Sequence, residues 1–156
     1  MIRHAGKRTL VLENRPRLLS HAAAVGKKEG EGPLGSRFDF VTKNDRLGQK
    51  SWELAESELQ KTAIDLALRK GGLHRHDLDL ILAGDLLNQC IGSFLASMHA
   101  DVPYLGQYGA CSTMAQGLAL GGVLVEAGAA ARLSVSASSH FCSDRKSTRL
   151  NSSHGK

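Results

Sequence analysis

The chain has 156 residues, of which 42% are hydrophobic and 22% are charged, and this composition argues against disorder and against a fibre. The length suits one domain or part of a larger one. Residues 144–156 contribute +3 of the formal charge of +5, and no basic patch alternates with aromatic residues, so we expect no nucleic-acid partner.

Neither the N-terminus nor the apolar stretches predict insertion into a membrane. Basic residues open the chain without an apolar run behind them, so the sequence predicts no signal peptide and a soluble protein. The stretch 110–125 is too short for a membrane span. Cys90, Cys111 and Cys142 are odd in number and far apart, which indicates a reducing compartment and predicts no disulfide framework, metal site or bound cofactor.

The elements alternate between apolar strands and periodic helices. Read in chain order, they are a strand at 9–13, a loop at 22–35, a helix at 51–70, a strand at 78–83, a helix at 89–100, a strand at 102–105, a helix at 112–128 and a strand at 132–137. This alternation predicts an α/β fold with a mostly parallel sheet flanked by helices.

Two of the predicted helices have features that suggest how they pack. In the helix at 51–70, Ser51 can cap the start and a Gly-Gly pair the end. Its predicted apolar stripe consists of Trp52, Ala55, Leu59, Ala63, Leu66 and Ala67. The helix at 112–128 is rich in glycine and alanine, so we expect it to be central and buried.

The string Gly109-Ala110-Cys111-Ser112-Thr113 lies between a strand and a helix. A cysteine at a helix N-terminus meets unpaired backbone N–H groups and the positive end of the helix dipole, and both favour the thiolate. The sequence therefore predicts either a reactive cysteine or a small side chain at a tight corner.

Polar residues also follow two other predicted strands. Ligands of open α/β sheets bind beyond the carboxyl ends of the strands, which makes Asp85, Asn88 and Gln89 candidate binding residues. His140, after the last strand, could be an acid–base group or a ligand contact. Turn formation, helix capping and exposure to solvent are the structural alternatives for these residues.

The string from Gly30 to Gly35 matches G-x-G-x-x-G, but charged residues flank it and Pro33 lies inside it. A dinucleotide-binding loop should follow a strand directly and open a helix. We therefore interpret this string as a structured turn.

Residues 144–156 differ in character from the rest of the chain. They have no apolar period, and 144–154 are, in order, the translation of part of a widely used sequencing adapter. We therefore expect residues 1–143 to be the N-terminal half of a domain and 144–156 to be a non-native polar tail.

Several longer strings resemble known families. The segment 63–81 and the Cys111 turn resemble the thiolase and ketosynthase III superfamily. Residues 49–53 (Gln-Lys-Ser-Trp-Glu), 82–89 (Leu-Ala-Gly-Asp-Leu-Leu-Asn-Gln) and 138–140 (Ser-Ser-His) resemble the stage V sporulation protein AD family. This resemblance covers roughly residues 9–143.

The resemblance implies a thiolase-like fold of two similar halves, of which this chain has the first. It implies a protein that binds dipicolinic acid, by itself or as its calcium chelate, and assists its uptake into the developing spore. Its partners would be the other stage V sporulation A membrane proteins, and its place would be peripheral to the inner membrane of the forespore. Full-length relatives could be homodimers. In this view Cys111, Ser112, Asp85, Asn88, Gln89 and His140 bind the ligand. The superfamily also offers an alternative, an acyltransferase in which Cys111 is the nucleophile.

Overall fold

A computed structural model describes residues 1–87, 90–98 and 100–139. Within them, the helices are α1 (Lys27–Gly30), α2 (Trp52–Lys70), α3 (Ile91–Ser97) and α4 (Thr113–Glu126). The strands are β1 (Ile2–Ala5), β2 (Thr9–Leu12), β3 (Ala24–Val25), β4 (Phe40–Val41), β5 (Leu80–Asp85), β6 (Tyr104–Gly106) and β7 (Leu133–Ser138). Short 3-10 turns occupy Gly35–Arg37, Arg75–Asp77 and Ala110–Ser112.

The main sheet has three parallel strands in the order β6, β5, β7. The short strands β3 and β4 form a second parallel pair, and β1 and β2 form an antiparallel hairpin. The predicted α/β class with a mostly parallel sheet flanked by helices is therefore confirmed. The hairpin strand β1 was not predicted, because residues 1–8 carry almost no apolar signal and β1 forms by pairing with β2.

Helices cover both faces of the central strand β5. Its residues alternate, so Ile81 and Ala83 join a core with Ile64 and Leu68 of α2 on one face. On the other face α4 packs closely on β7: a Cβ added to Gly117 would lie 2.5 Å from Val135 Cγ1. The sheet is thus enclosed between α2 and α3 on one side and α4 on the other.

Helix α2 begins and ends where predicted, but its buried face differs from the predicted stripe. Ser51 accepts a hydrogen bond from the Leu54 amide, and Gly71 caps the C-terminus. The buried positions are Ala55, Glu56, Ser57, Gln60, Ile64 and Leu68. Only Ala55 belongs to both the predicted stripe and this set. The helix turns a carboxyl side chain, Glu56, and an amide side chain, Gln60, toward the sheet.

The expectation that α4 is central and buried was wrong in part. Its small residues do pack closely on β7, as the composition indicated. Met114 and Leu118, however, are 42% and 49% exposed. The loop expected at 22–35 was also partly wrong, since it contains β3 and the single turn α1.

Candidate functional site

The candidate site lies at the carboxyl edge of the main sheet. β5 ends at Asp85 and β7 ends at Ser138, two residues that pair with each other in register. The segment after β6 returns at the same edge to begin α4 at Thr113. Because parallel strands present their carboxyl ends together, polar groups from three connections meet here.

Cys111 lies in the turn that leads into α4, and its side chain is exposed. Ala110, just before it, has a φ of +48°, a left-handed conformation that is unfavourable for a residue with a Cβ. The Ser112 hydroxyl donates a 2.7 Å hydrogen bond to the Gly109 carbonyl and does not cap α4. The turn therefore presents the thiol beside backbone N–H groups that no capping side chain satisfies.

A close backbone approach holds this turn against the central strand. The Gln107 amide donates a 2.8 Å hydrogen bond to the Ala83 carbonyl. A Cβ at Gly84 would lie 2.0 Å from Gln107 O and 2.9 Å from Thr113 Cγ2. Only glycine at position 84 lets the segment before Cys111 lie this close to β5.

Asp85 is 3% exposed and faces α2 and α3 rather than α4. Its Oδ2 accepts hydrogen bonds from the Ser93 amide at 2.7 Å and the Ser93 hydroxyl at 2.8 Å. The Ser93 hydroxyl also lies 3.0 Å from the Tyr104 hydroxyl. Asp85 and Cys111 thus share one edge of the sheet but lie on its opposite faces. Burial raises the pKa of Tyr104, so the phenol stays neutral near pH 7.

Glu56 is a buried acid of this edge that the sequence pattern did not reveal. Its side chain is fully buried, and Oε1 accepts a 2.8 Å hydrogen bond from the Ser138 hydroxyl. Burial, with a smaller contribution from the Asp85 charge, raises the pKa of Glu56 to about 7. One signal could have found it: four-residue steps back from Leu68 pass through Ile64 and Gln60 to Glu56.

Gln60 continues this polar row one turn along α2. Its Nε2 donates hydrogen bonds to the Ser136 hydroxyl at 3.1 Å and to the Gly84 carbonyl at 3.4 Å. Alternate residues of β7, Ser136 and Ser138, therefore bond to successive turns of α2. The polar row joins the helix to the sheet directly below the candidate site.

Three of the predicted binding residues, Asn88, Gln89 and His140, lie outside the described residues. The residues on either side of Asn88 and Gln89 are described. Leu87 is buried, and Cys90, with a φ of +72°, donates its thiol hydrogen to the Gln107 carbonyl.

A surface cleft lies away from this edge of the sheet. It has a volume of about 350 Å³ and lies between α3 and the start of β6, lined by Phe94, Met98, Pro103 and Tyr104 among others. No group of three His, Cys, Asp or Glu side chains among residues 1–87, 90–98 and 100–139 could hold a metal ion. None of the helices described there is long and apolar enough to cross a membrane.

The sequence belongs to the stage V sporulation protein AD family, whose sequence model matches residues 6–156. Stage V sporulation protein AD of Bacillus subtilis (strain 168) is 40% identical over 150 residues, which cover 96% of this chain. The chain spans 44% of the length of that relative. The matched range includes residues 144–156, so their interpretation as a non-native tail stays a prediction.

The family is one of sporulation proteins, and its name supports a role in sporulation. The sequence resemblance to the family is thereby confirmed. The family match does not depend on the cysteine turn alone, since it extends along almost the whole chain.

Proposed function

We propose that this chain is the N-terminal half of a thiolase-like protein that binds dipicolinic acid and assists its uptake into the developing spore. The observation that carries the proposal is the match to a sporulation family along residues 6–156. Dipicolinic acid is a flat pyridine ring with two carboxylates beside the ring nitrogen. A site for it needs donors for two carboxylates and an accessible edge.

The N-terminus of α4 supports this proposal chemically. The Ser112 side chain bonds to Gly109 instead of capping the helix, while the Thr113 amide donates to the Ala110 carbonyl. The positive end of the helix dipole at this terminus favours a carboxylate. Cys111 and Ser112 are exposed at this end and would contact the ligand. In the same proposal Asp85, Asn88, Gln89 and His140 are also ligand-binding residues.

The exposed face of α4 supports the idea of a missing second half. Met114 and Leu118 present apolar surface to solvent on a helix whose Gly117 and Gly121 pack against β7. A second half of the kind that thiolase-like proteins have would cover this face and close the ligand site. In the same proposal, the complete protein is a homodimer, peripheral to the inner membrane of the forespore. There it works with the other stage V sporulation A membrane proteins.

Calorimetry tests the binding proposal. Residues 1–143 would replace the matching part of the Bacillus subtilis relative, and the hybrid would be titrated with dipicolinate, with and without calcium. We expect saturable heat with dipicolinate and much less with isophthalate, which has the same two carboxylates but no ring nitrogen. Absence of saturable heat in a folded hybrid would refute the proposal.

The exposed Cys111 after a strained Ala110 favours one alternative, an acyltransferase. The Cys111 thiolate would attack the carbonyl carbon of an acyl-CoA thioester, release the CoA thiolate and keep the acyl group as a new thioester. Incubation of the hybrid with acyl-CoA and mass spectrometry tests this step. An acyl adduct that disappears in Cys111→Ala would support the enzyme, and an unmodified mass would exclude it.

A further inference from the structure

The turn that carries Cys111 is attached to the central strand through the backbone of Gln107. The Gln107 amide donates a 2.8 Å hydrogen bond to the Ala83 carbonyl. The Gln107 carbonyl lies over Gly84, where an added Cβ would come within 2.0 Å of its oxygen. Because Gln107 is buried, this carbonyl needs a hydrogen-bond donor from within the protein.

The thiol of Cys90 supplies that donor. Cys90 is the residue directly before α3, and its Sγ lies 3.3 Å from the Gln107 oxygen. Its own carbonyl accepts hydrogen bonds from the Phe94 amide at 2.9 Å and from the Ser93 hydroxyl at 3.2 Å. One residue therefore joins the first turn of α3 to the segment that leads to Cys111.

The backbone conformation of Cys90 also indicates a specific role for its side chain. Its φ is +72°, in the left-handed region that glycine adopts more readily than a residue with a Cβ. The thiol does not cap α3, although Cys90 occupies the capping position. An unfavourable conformation of this kind persists where the surrounding contacts stabilise it. The hydrogen bond from the thiol to a buried carbonyl is such a contact.

We propose that Cys90 is a positioning residue for the turn that carries Cys111. Its thiol hydrogen holds the Gln107 carbonyl against β5, and the turn that follows presents Cys111 at the N-terminus of α4. Without that hydrogen, a buried carbonyl lacks a donor and the turn opens more readily. This role of Cys90 does not depend on whether the turn binds dipicolinate or accepts an acyl group.

Hydrogen exchange in the 156-residue chain tests the proposal without any ligand. The Gln107 and Ser112 amides report on the turn, since both donate hydrogen bonds there. Cys90→Ala should lower their protection roughly tenfold. Cys90→Ser should keep most of the protection, because its hydroxyl is also a donor. The Thr42 amide, which belongs to the β3–β4 pair, should be equally protected in all of these proteins.

Ser97→Ala is the matched control. Its hydroxyl is buried on α3 and donates a 2.9 Å hydrogen bond to the Ser93 carbonyl. This variant therefore removes a buried hydrogen bond of the same helix and leaves the Cys90 thiol in place, so the turn should be protected as in the wild type. Equal protection in the wild type and Cys90→Ala would overturn the proposal. Equal losses in Cys90→Ala and Cys90→Ser, or the same loss in Ser97→Ala, would also overturn it.

Reversible blocking of the thiol tests the same hydrogen bond should Cys90→Ala fold poorly. In a chain with Cys111→Ala and Cys142→Ser, Cys90 is the remaining cysteine. Its thiolate attacks methyl methanethiosulfonate, forms a methyl disulfide and releases methanesulfinate, and dithiothreitol restores the thiol. Protection of the Gln107 amide should fall on blocking and return on reduction. Unchanged protection in protein that is fully blocked by mass would contradict the proposal.

Discussion

Ser138, the last residue of β7, donates a 2.8 Å hydrogen bond to Glu56 Oε1 in α2. This bond joins a helix to the strand end that precedes a predicted ligand-binding segment. The Glu56 side chain that accepts this bond is fully buried. The carboxyl edge of the sheet is therefore joined to α2 by Glu56, an acid whose pKa is about 7.

The buried Glu56 predicts an unusual pH dependence of stability. Its pKa is about 7 in the folded chain against 4.5 as the ordinary value. Between these values the folded state holds a proton that the unfolded state has lost, so stability is complete below pH 4.5 and falls as pH rises through 7. The loss should approach about 3 kcal/mol in the free energy of unfolding, measured by urea denaturation.

Glu56→Gln should remove this decline, so that the variant gains on the wild type as pH rises toward 8. Glu58→Gln should retain the decline. Parallel pH curves for the wild type and Glu56→Gln would show that Glu56 is already ionised in the folded chain, contrary to the account.

Gly84 should not tolerate a side chain. A Cβ there would lie 2.0 Å from the Gln107 carbonyl oxygen, which is backbone and cannot move away by rotating a side chain. We expect Gly84→Ala to lower the free energy of unfolding by about 2 kcal/mol.

Gly122→Ala is the matched control, because its nearest contact is the flexible end of Leu12 at 3.0 Å. It should stay within about 1 kcal/mol of the wild type, since alanine is the better helix former. Similar stability of the two variants would argue against the close approach of β5 and the segment before Cys111.

Ser51 should stabilise α2 through its side chain. Its hydroxyl oxygen accepts a 3.2 Å hydrogen bond from the Leu54 amide. Ser51→Ala should cost about 1 kcal/mol in the free energy of unfolding, and Ser51→Asp should restore most of it, because aspartate also caps helices. Equal losses in both variants would contradict a capping role and point to the surrounding loop instead.

The sequence predicted the elements that have strong local signals. The ends of α2 were clear because Ser51 and the Gly71-Gly72 pair are local signals of helix capping. The apolar run of β5 showed a covered parallel strand, although its observed span, Leu80–Asp85, is two residues later than predicted. The parallel sheet followed from the alternation of these elements.

The features of the site that depend on tertiary contacts could not be predicted from the sequence. Apart from its four-residue spacing from Gln60, nothing local distinguishes Glu56 from the half-buried Glu53 and Glu58, since its burial depends on where β7 lies. The direction of the Asp85 side chain was likewise hidden, because it depends on the strand register. The predicted turn at Cys111 was found as expected, but the strain at Ala110 is visible only in the backbone angles.

Alkylation of Cys111 in the presence of dipicolinate is the most direct test of the central claim, that the ligand binds at the N-terminus of α4. In the Cys142→Ser hybrid, iodoacetamide should modify the exposed Cys111 faster than the half-buried Cys90, whose thiol donates to the Gln107 carbonyl. Saturating dipicolinate should slow the modification of Cys111 at least roughly tenfold and leave Cys90 unchanged. An unchanged rate at Cys111, under conditions where calorimetry shows bound dipicolinate, would place the ligand elsewhere and contradict the account.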